Sequence, residues 1–209
     1  MEMENYLTNQ PIRRDSYKVL SECYYLPDEQ LFTHLHNPDN TMGPIFSHLE
    51  ANCPDINDLQ RLKLDYTRLF IGPFGSIAPP YESVYIENRK IIMSDSTMEV
   101  KNLYVENGLN VDIKEAPDHI AIELEFMYYL IFKELEALNE SDPSAASAYM
   151  AKQEDFLKNH LSRWITEFSV IVGRNAQTHF YRDLANITGS FVMRDLEYLG
   201  SRVAQSTSG

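Results

Sequence analysis

Residues 117–138 read PDHIAIELEFMYYLIFKELEAL, and this stretch decides the fold class. Its apolar side chains recur every three to four residues, which is the period of one face of an α-helix. The members of this stripe are Ile120, Leu124, Met127, Ile131, Leu135 and Leu138. Pro117 suits the first turn of such a helix, and Asp142-Pro143 breaks the pattern. The stretch therefore predicts a long amphipathic helix that packs against other helices.

Helical periodicity also dominates the rest of the chain, and the alternation typical of strands is almost absent. Asp28 is expected to cap a helix that carries Leu31, Phe32 and Leu35. The other predicted helices run over residues 13–25, about 44–51, 55 or 57 to 70, 95 or 96 to 108, about 156–173 and about 180–199. The sequence thus predicts an all-α, single-domain helical bundle. Its expected parts are a polar N-terminal segment 1–12, a helical domain 13–200 and a flexible tail 201–209.

Residues 71–83 read IGPFGSIAPPYES and interrupt the helical pattern. Two glycines and three prolines exclude a regular helix here, and residues 84–93 weakly favour two short strands. The bundle is therefore expected to contain a long Gly/Pro-rich connection around residues 71–95. Long, distinctive loops in compact domains often carry function. Pro79 and Pro80 should hold an extended segment that preorganises Tyr81 for contact with a ligand.

Composition narrows the class of protein. The chain has 209 residues, with 18 basic and 31 acidic side chains and a formal charge of −13. Such a surface repels nucleic-acid phosphates and anionic lipid and attracts cationic partners, although acidity also serves solubility alone. Two cysteines are too few for a disulfide scaffold and fit a reducing compartment. No apolar run spans a bilayer, and the Arg13-Arg14 pair lacks the apolar segment of an export signal, so a cytoplasmic protein without stable membrane insertion is expected.

The residues that carry chemistry concentrate in one constellation, which consists of Glu115, Asp118, His119, Glu123 and Glu125. The chain has no Gly-rich phosphate loop and no zinc-protease or serine-hydrolase motif. Three interpretations of the constellation stay open. Asp118 could cap a helix from its first turn while His119 packs locally. The carboxylates could bind a cationic ligand, or the group could hold a metal, although this spacing is poorly specific for one.

A second candidate surface lies where the helix ending near residue 70 meets the Gly/Pro-rich connection. Tyr66, Leu69 and Phe70 are spaced so that they share one helix face. Core packing is the simpler interpretation and is favoured for Leu69. The aromatic members, together with the loop, form a candidate apolar contact surface.

Four blocks of this sequence resemble the TorD/DmsD/NarJ-type chaperones, the redox enzyme maturation proteins. Residues 65–73, DYTRLFIGP, look like the aromatic-x-x-Leu-Phe-x-Gly-Pro signature of that family, and residues 78–85, APPYESVY, resemble the next block of its TorD/DmsD branch. Residues 108–109 and 115–127 look like the Pro-Asp-His block, and residues 160–164 with 180–184 resemble the C-terminal block. The blocks occur in the expected order between about residues 13 and 199. The departures are Ala116, at a loose position, and Tyr66, where some members have Trp.

The resemblance implies an all-helical chaperone and not an enzyme. It implies binding of the twin-arginine signal peptide of a molybdenum-cofactor oxidoreductase, whose catalytic subunit is held back from export until its cofactor is inserted. Some members are linked to guanine nucleotide or molybdopterin dinucleotide, and some form domain-swapped homodimers, so this chain is expected to be a monomer or such a dimer. An assembly factor that binds the catalytic subunit outside its signal peptide is one alternative. A metal-dependent hydrolase using Asp118, His119 and Glu123 is the other.

A twin-arginine signal joins a cationic segment to an apolar one, so its receptor should offer carboxylates beside an apolar groove. Asp118, with Glu123 or Glu125, is expected to pair the guanidinium groups. His119 could hold the local hydrogen-bond network or tune it with pH. The full set of expected peptide-binding residues is Tyr66, Leu69, Phe70, Gly72, Pro73, Pro79, Pro80, Tyr81, Glu82, Ser83, Asp118, His119, Glu123 and Glu125.

Overall fold

The protein is an all-helical bundle in the part of the chain that its computed structural model describes, which is residues 9–29, 31, 43–72, 75–87, 95–109 and 115–206. The α-helices in these ranges are α1 Gln10–Cys23, α2 Gly43–Asn52, α3 Leu59–Tyr66, α4 Glu82–Ile86, α5 Asp95–Glu106, α6 Ile120–Asn139, α7 Pro143–Phe156, α8 Ser162–Asn175 and α9 His179–Ser206. The β-type pairing within them is an isolated bridge between Tyr81 and His119. The predicted fold class is therefore confirmed.

Three helix pairs build the bundle: α1 packs on α6, α6 packs on α7, and α8 packs on α9. Aromatic side chains fill the space between them. Trp164 and Phe168 of α8 pack edge to face, with ring centroids 5.4 Å apart, and Tyr17 of α1 meets Phe191 of α9 at 5.0 Å. All four of these side chains are buried. One continuous apolar core thus joins the first helix to the last.

Helix α6 follows its predicted stripe for most of its length. Ile120, Leu124, Met127 and Ile131 are fully buried, whereas Leu138 is 48% exposed because the last turn extends past the core. The helix begins at Ile120 with His119 as its N-cap. Pro117 and Asp118 therefore lie in the turn before the helix and not in its first turn.

Several helix boundaries differ from the predicted ones. Helix α1 begins at Gln10, with the Asn9 side chain accepting a hydrogen bond from the backbone N–H of Ile12. Helix α3 is capped by Asp58 rather than by the predicted Asp55 or Asn57. The strand prediction for residues 84–93 is wrong for its first part, because residues 82–86 form helix α4. Phe32, Leu35, Pro73 and residues 88–93 lie outside the described residues.

Two helices continue into π-helical turns, Thr67–Ile71 after α3 and Leu157–Leu161 after α7. Such turns insert an extra residue into a helix and are frequent at functional sites. The first turn leads directly into the Gly/Pro-rich connection. The second places the buried imidazole of His160 against the carboxylate of Glu82, with Nδ1 3.2 Å from Oε1.

A buried ion pair ties the two ends of the bundle together. Arg13 of α1 is fully buried and donates two hydrogen bonds to Asp195 of α9, at 2.6 and 2.9 Å. The Tyr17 hydroxyl donates to the same carboxylate at 2.6 Å, and the amide oxygen of Gln153 accepts from Arg13 at 2.8 Å.

None of the helices in the described ranges is long and apolar enough to cross a membrane.

Candidate functional site

A groove of about 1100 Å³ opens on the surface of the bundle. Its walls come from the residues after α1, the end of the first π-helical turn, the loop 75–81, helices α4 and α8, and the turn before α6. Exposed apolar side chains collect here, namely Tyr25, Leu26, Ile71 and Ile77. Exposed apolar side chains that cluster in one groove are typical of a binding site.

The floor of the groove is aromatic. Tyr66 and Phe70 both line it, although only 7% and 5% of their surfaces are exposed. Their rings meet edge to face at 5.0 Å, and Phe70 stacks on Phe168 of α8 at 6.0 Å. Leu69, between them in sequence, is fully buried and belongs to the core. This position confirms the core packing favoured for Leu69 and leaves it outside the groove lining, although the expected peptide-binding set included it.

The Gly/Pro-rich loop is folded back on the π-helical turn that precedes it. The backbone N–H of Gly72 donates to the carbonyl of Thr67 at 2.7 Å, and that of Ala78 donates to the carbonyl of Leu69 at 2.8 Å. Gly72 has φ +58°, and a Cβ there would lie 2.2 Å from the carbonyl oxygen of Gly75. Only glycine fits this position, because its backbone has a positive φ and approaches the carbonyl of Gly75 closely.

A short antiparallel bridge between Tyr81 and His119 closes the groove on the side of α6. The backbone N–H of Ile120 donates to the carbonyl of Pro80 at 2.9 Å, and that of Glu82 donates to the carbonyl of Asp118 at 3.0 Å. The bridge holds the side chains of Tyr81 and His119 together, with ring centroids 5.2 Å apart. Two stretches that the sequence singled out separately therefore meet here.

His119 is almost completely buried beneath the groove surface. Its Nδ1 accepts a hydrogen bond from the backbone N–H of Ala121 at 3.2 Å, which caps α6 and requires an unprotonated Nδ1. Burial lowers the pKa of His119 from 6.5 to about 4. The imidazole is therefore neutral at physiological pH.

The acidic groups that line the groove are Glu115 and Glu167, and both are exposed. The Tyr81 hydroxyl donates to Oε2 of Glu115 at 3.3 Å. Burial, together with the negative charge of Glu115, raises the pKa of Tyr81 to about 12. The described lining contains no lysine or arginine. The two exposed carboxylates and the apolar walls suit a cationic, partly apolar ligand.

The expected role of Asp118 needs correction. Its carboxylate is fully buried, and Oδ2 accepts from the backbone N–H of Ser83 at 3.0 Å. It therefore caps the short helix α4 from a turn 35 residues away in sequence, and it does not cap α6. Because Asp118 and Ser83 are both buried, neither contacts a ligand on the surface of this conformation.

Glu82 and Glu123 are also fully buried, below the bridge and not in the groove. Glu82 contacts His160, and Oε2 of Glu123 accepts from Nε1 of Trp164 at 3.1 Å. Burial raises the pKa of both carboxyl groups, that of Glu123 to well above its ordinary value. Burial therefore makes both carboxyl groups harder to ionise than they are in water. The expected pairing of Glu123 with a peptide arginine is therefore not compatible with this conformation.

Glu125 is partly exposed on α6 and pairs with Lys18 of α1 at 2.8 Å, and it does not line the groove. Of the expected peptide-binding residues, the groove brings together Tyr66, Phe70, Pro79, Pro80, Tyr81 and His119. The groove lining also includes residues that the expected peptide-binding set left out, among them Tyr25, Leu26, Glu167 and Ile171. Glu115 lines it too, and the sequence singled out Glu115 only as a member of the acidic constellation. Tyr25 and Leu26 offered a usable signal, since both are large apolar residues just beyond the end of α1.

No group of three or more His, Cys, Asp or Glu side chains within the described part of the chain could hold a metal ion. Asp118 and Glu123, which the hydrolase alternative requires, each contact a backbone or indole N–H instead. The geometry of these residues therefore gives no support to a metal-dependent hydrolase.

Comparison with known proteins identifies the family. The family model described as nitrate reductase delta subunit matches residues 39–170. The chaperone protein TorD of Vibrio parahaemolyticus is 31% identical over 148 residues, which cover 69% of this chain and 67% of that protein. A perchlorate reductase assembly chaperone protein of Dechloromonas aromatica is 32% identical over 151 residues, covering 66% of this chain and 65% of that one.

The crystal structure of an Archaeoglobus fulgidus protein, which is named as a redox enzyme maturation protein, shares the fold of this chain with a TM-score of 0.58. It is 24% identical and covers 86% of this chain and 93% of that one. The named relatives are chaperones or assembly proteins and not catalysts, so the prediction that this chain is not an enzyme is confirmed. The chain belongs to the nitrate reductase delta subunit family, which includes the TorD chaperones.

Proposed function

We propose that this protein is a cytoplasmic chaperone for a molybdenum-cofactor oxidoreductase, and that its groove binds the twin-arginine signal peptide of the catalytic subunit. Binding would hold the client back from export until its cofactor is inserted. The observation that carries the proposal is the pairing of an exposed apolar surface with carboxylates in one groove that has no lysine or arginine in its described lining. This combination complements a peptide with adjacent cationic and apolar segments.

The size and electrostatics of the groove support a peptide over a small molecule. Its volume of about 1100 Å³ lies just above the range of ordinary small-ligand pockets, which are roughly 300–1000 Å³. The formal charge of −13 attracts a cationic segment over distances of about a Debye length. Tyr25, Leu26, Ile71 and Ile77 then offer apolar surface to the segment that follows.

Calorimetric titration with a synthetic twin-arginine signal peptide tests the proposal. We expect a Kd on the order of 1 μM, which corresponds to about −8 kcal/mol. Replacing both peptide arginines by alanine, or the apolar segment by serine, should each weaken binding at least tenfold. Absence of binding to signal peptides from several molybdoenzymes would contradict the proposal.

A pair of matched variants locates the binding surface. Leu26→Ser removes an apolar side chain of the groove that is 51% exposed, and Leu64→Ser removes one on α3 that is 68% exposed and lies outside the groove lining. Because both side chains are largely exposed, both variants should fold normally. We expect Leu26→Ser to weaken peptide binding roughly fivefold, about 1 kcal/mol of apolar contact, and Leu64→Ser to leave it unchanged.

An assembly factor that binds the catalytic subunit outside its signal peptide is the second candidate. The name of the perchlorate reductase assembly chaperone supports it. A client that lacks its signal peptide separates the two functions. The signal-peptide proposal requires that removing the signal abolishes most of the affinity, whereas an assembly factor should bind the shortened client equally well.

A further inference from the structure

We propose that Glu115, together with the rings of Tyr25, Tyr81 and His119, forms a subsite that selects a guanidinium group over an ammonium group. This inference rests on the proposed function, because it concerns a peptide bound in the same groove. It assigns the recognition of arginine to an exposed carboxylate set among aromatic rings. Of the carboxylates that the sequence suggested, Asp118 and Glu123 are buried, and Glu125 pairs with Lys18 outside the groove lining.

The three rings form a connected set around His119. The Tyr25 ring is nearly parallel to the His119 ring, with centroids 6.1 Å apart and an interplanar angle of 16°. The Tyr81 ring meets the same imidazole edge to face, at 5.2 Å and 71°. All three residues line the groove, and 37% of Tyr25 is exposed. A flat cation entering the groove therefore meets aromatic surface from two tyrosines that the imidazole holds in place.

Glu115 lies beside this set and faces solvent. The Tyr81 hydroxyl donates to its Oε2 at 3.3 Å, which is longer than an ordinary O–H···O bond. A carboxylate has about four lone-pair sites and accepts two parallel N–H bonds from a guanidinium group. Glu115 can therefore receive a planar cation edge-on while the rings of the subsite contact its face.

This combination discriminates between arginine and lysine for a physical reason. A guanidinium group is planar, weakly hydrated and able to stack on an aromatic ring while it donates two hydrogen bonds to one carboxylate. An ammonium group is compact and strongly hydrated, so it gains the charge attraction but neither the fork geometry nor the stacking. The neutral imidazole of His119, whose Nδ1 accepts from Ala121, adds no positive charge that would repel either cation.

Glu167 supplies the matched control. It carries the same charge, is exposed, and lines the same groove from helix α8. It lies near Tyr85 and Ile171, and not among the rings around His119. Removing its charge should reduce the attraction for any cationic peptide without changing the preference between arginine and lysine.

The experiment compares two peptides on four folded proteins: wild type, Glu115→Gln, Glu167→Gln and Tyr25→Leu. The peptides are a twin-arginine signal sequence and the same sequence with both arginines replaced by lysine. We expect wild type to prefer the arginine peptide about tenfold. Glu115→Gln should reduce this ratio to about twofold or less. Glu167→Gln should weaken both peptides in parallel and keep the ratio near tenfold. Tyr25→Leu, which keeps the apolar contact and removes the ring, should lower the ratio without abolishing binding.

The outcomes separate the two proposals. If wild type binds the signal peptide and Glu115→Gln keeps the tenfold ratio, the subsite is elsewhere and the inference is overturned while the proposed function stands. The inference is also overturned, and the proposed function stands, if Glu167→Gln reduces the preference for the arginine peptide as much as Glu115→Gln does. The discrimination would then follow from net charge alone. If wild type binds neither peptide, the proposed function fails and the inference fails with it.

Discussion

His119 lies between the N-terminus of helix α6 and the groove, and its imidazole contacts both. Nδ1 accepts from the backbone N–H of Ala121, while the ring packs against Tyr25 and Tyr81. Protonation would remove the acceptor that caps the helix and would place a charge in an almost fully buried position. Burial therefore lowers the pKa of His119 to about 4, and the folded protein resists protonation where the unfolded chain accepts it.

The depressed pKa of His119 predicts a loss of stability in mild acid. Between pH 6.5 and 4 the unfolded chain binds a proton that the folded protein excludes, so the free energy of unfolding falls as the pH falls. A shift from 6.5 to about 4 corresponds to roughly 3 kcal/mol over that window. His119→Asn keeps a side-chain acceptor at the N-cap and removes the titration. Urea unfolding between pH 4 and 7 should therefore show a shallower pH dependence for the variant.

Glu82 and Glu123 affect the pH dependence of stability in the opposite direction. Burial raises the pKa of both carboxyl groups, so the folded state holds protons that the unfolded chain releases as the pH rises. Both groups are present in wild type and in His119→Asn, and their contribution cancels in the difference between the two curves. Parallel curves for the two proteins would show that His119 does not carry the acid sensitivity.

At this scale the sequence predicted which residues matter better than it predicted what they do. Tyr66, Phe70, Tyr81 and His119 line the groove as expected. Asp118 instead caps α4 through Ser83, a contact that joins residues 35 positions apart. Local spacing predicts which face of its own helix a side chain occupies. It does not predict a contact with the N-terminus of a helix that is distant in sequence.

Helix α9 shows the same long-range capping at the scale of a secondary-structure element. Its first backbone N–H groups have no partner within the helix. Asp55 accepts from the N–H groups of His179 and Phe180, at 2.8 and 3.1 Å. Asp65, in α3, accepts from the backbone N–H and the hydroxyl of Thr178, both at 2.8 Å. Two carboxylates from the N-terminal half of the bundle thus hold the start of its longest described helix.

Removing the Asp65 cap should cost more than removing a local cap. Asp65→Ala deletes a carboxylate that is 2% exposed and leaves buried N–H groups without a partner, so we expect the free energy of unfolding to fall by about 2–3 kcal/mol. Asp58→Ala is the matched control, because Asp58 caps only its own helix α3, through Arg61 at 2.9 Å. We expect the control to cost about 1 kcal/mol. Equal losses in chemical denaturation would contradict the long-range role.

Hydrophobic periodicity predicted most of the helices, but it did not predict some of the helix ends or the existence of helix α4. Asp55 or Asn57 was expected to start α3, and Asp55 instead caps α9. A carboxylate before an apolar run gives the same sequence pattern in either role. Helix α4 was expected to be part of two strands, because Val84, Tyr85 and Ile86 favour strands intrinsically. Its helical geometry depends on tertiary contacts, which include the cap from Asp118.

At the scale of the whole molecule, the first and last helices are joined by Arg13 and Asp195. The sequence drew attention to Arg13 only as half of a twin-arginine pair, although helical spacing places Arg13 on the same face as Tyr17 and Leu20. The structure separates the two completely. Arg13 is fully buried, whereas the side chain of Arg14 is 26% exposed and pairs with its neighbour Asp15. Burial of one arginine and exposure of the next follows from helix geometry once α1 packs against the bundle.

This contrast predicts that stability and peptide binding can be changed independently. Arg13→Ala leaves the Asp195 carboxylate buried without its ion-pair partner, which should lower the free energy of unfolding by about 3–5 kcal/mol. Arg14→Ala removes a partly exposed pair and should cost about 1 kcal/mol or less. If Arg13→Ala is too unstable to purify, Arg13→Lys keeps the charge, loses the two-point hydrogen bond and should show an intermediate loss.

Arg13 and its partners Asp195 and Gln153 do not line the groove. The folded fraction of each variant should therefore bind a signal peptide with the affinity of wild type, within about twofold. Chemical denaturation measures the change in the free energy of unfolding. Titration with the peptide, under conditions well below the unfolding transition, measures the affinity. A large loss of affinity in Arg13→Lys, with the protein still folded, would mean that the ends of the bundle are coupled to the groove. The groove would then depend on the packing of α1 as a whole, and not only on Tyr25 and Leu26 at its end.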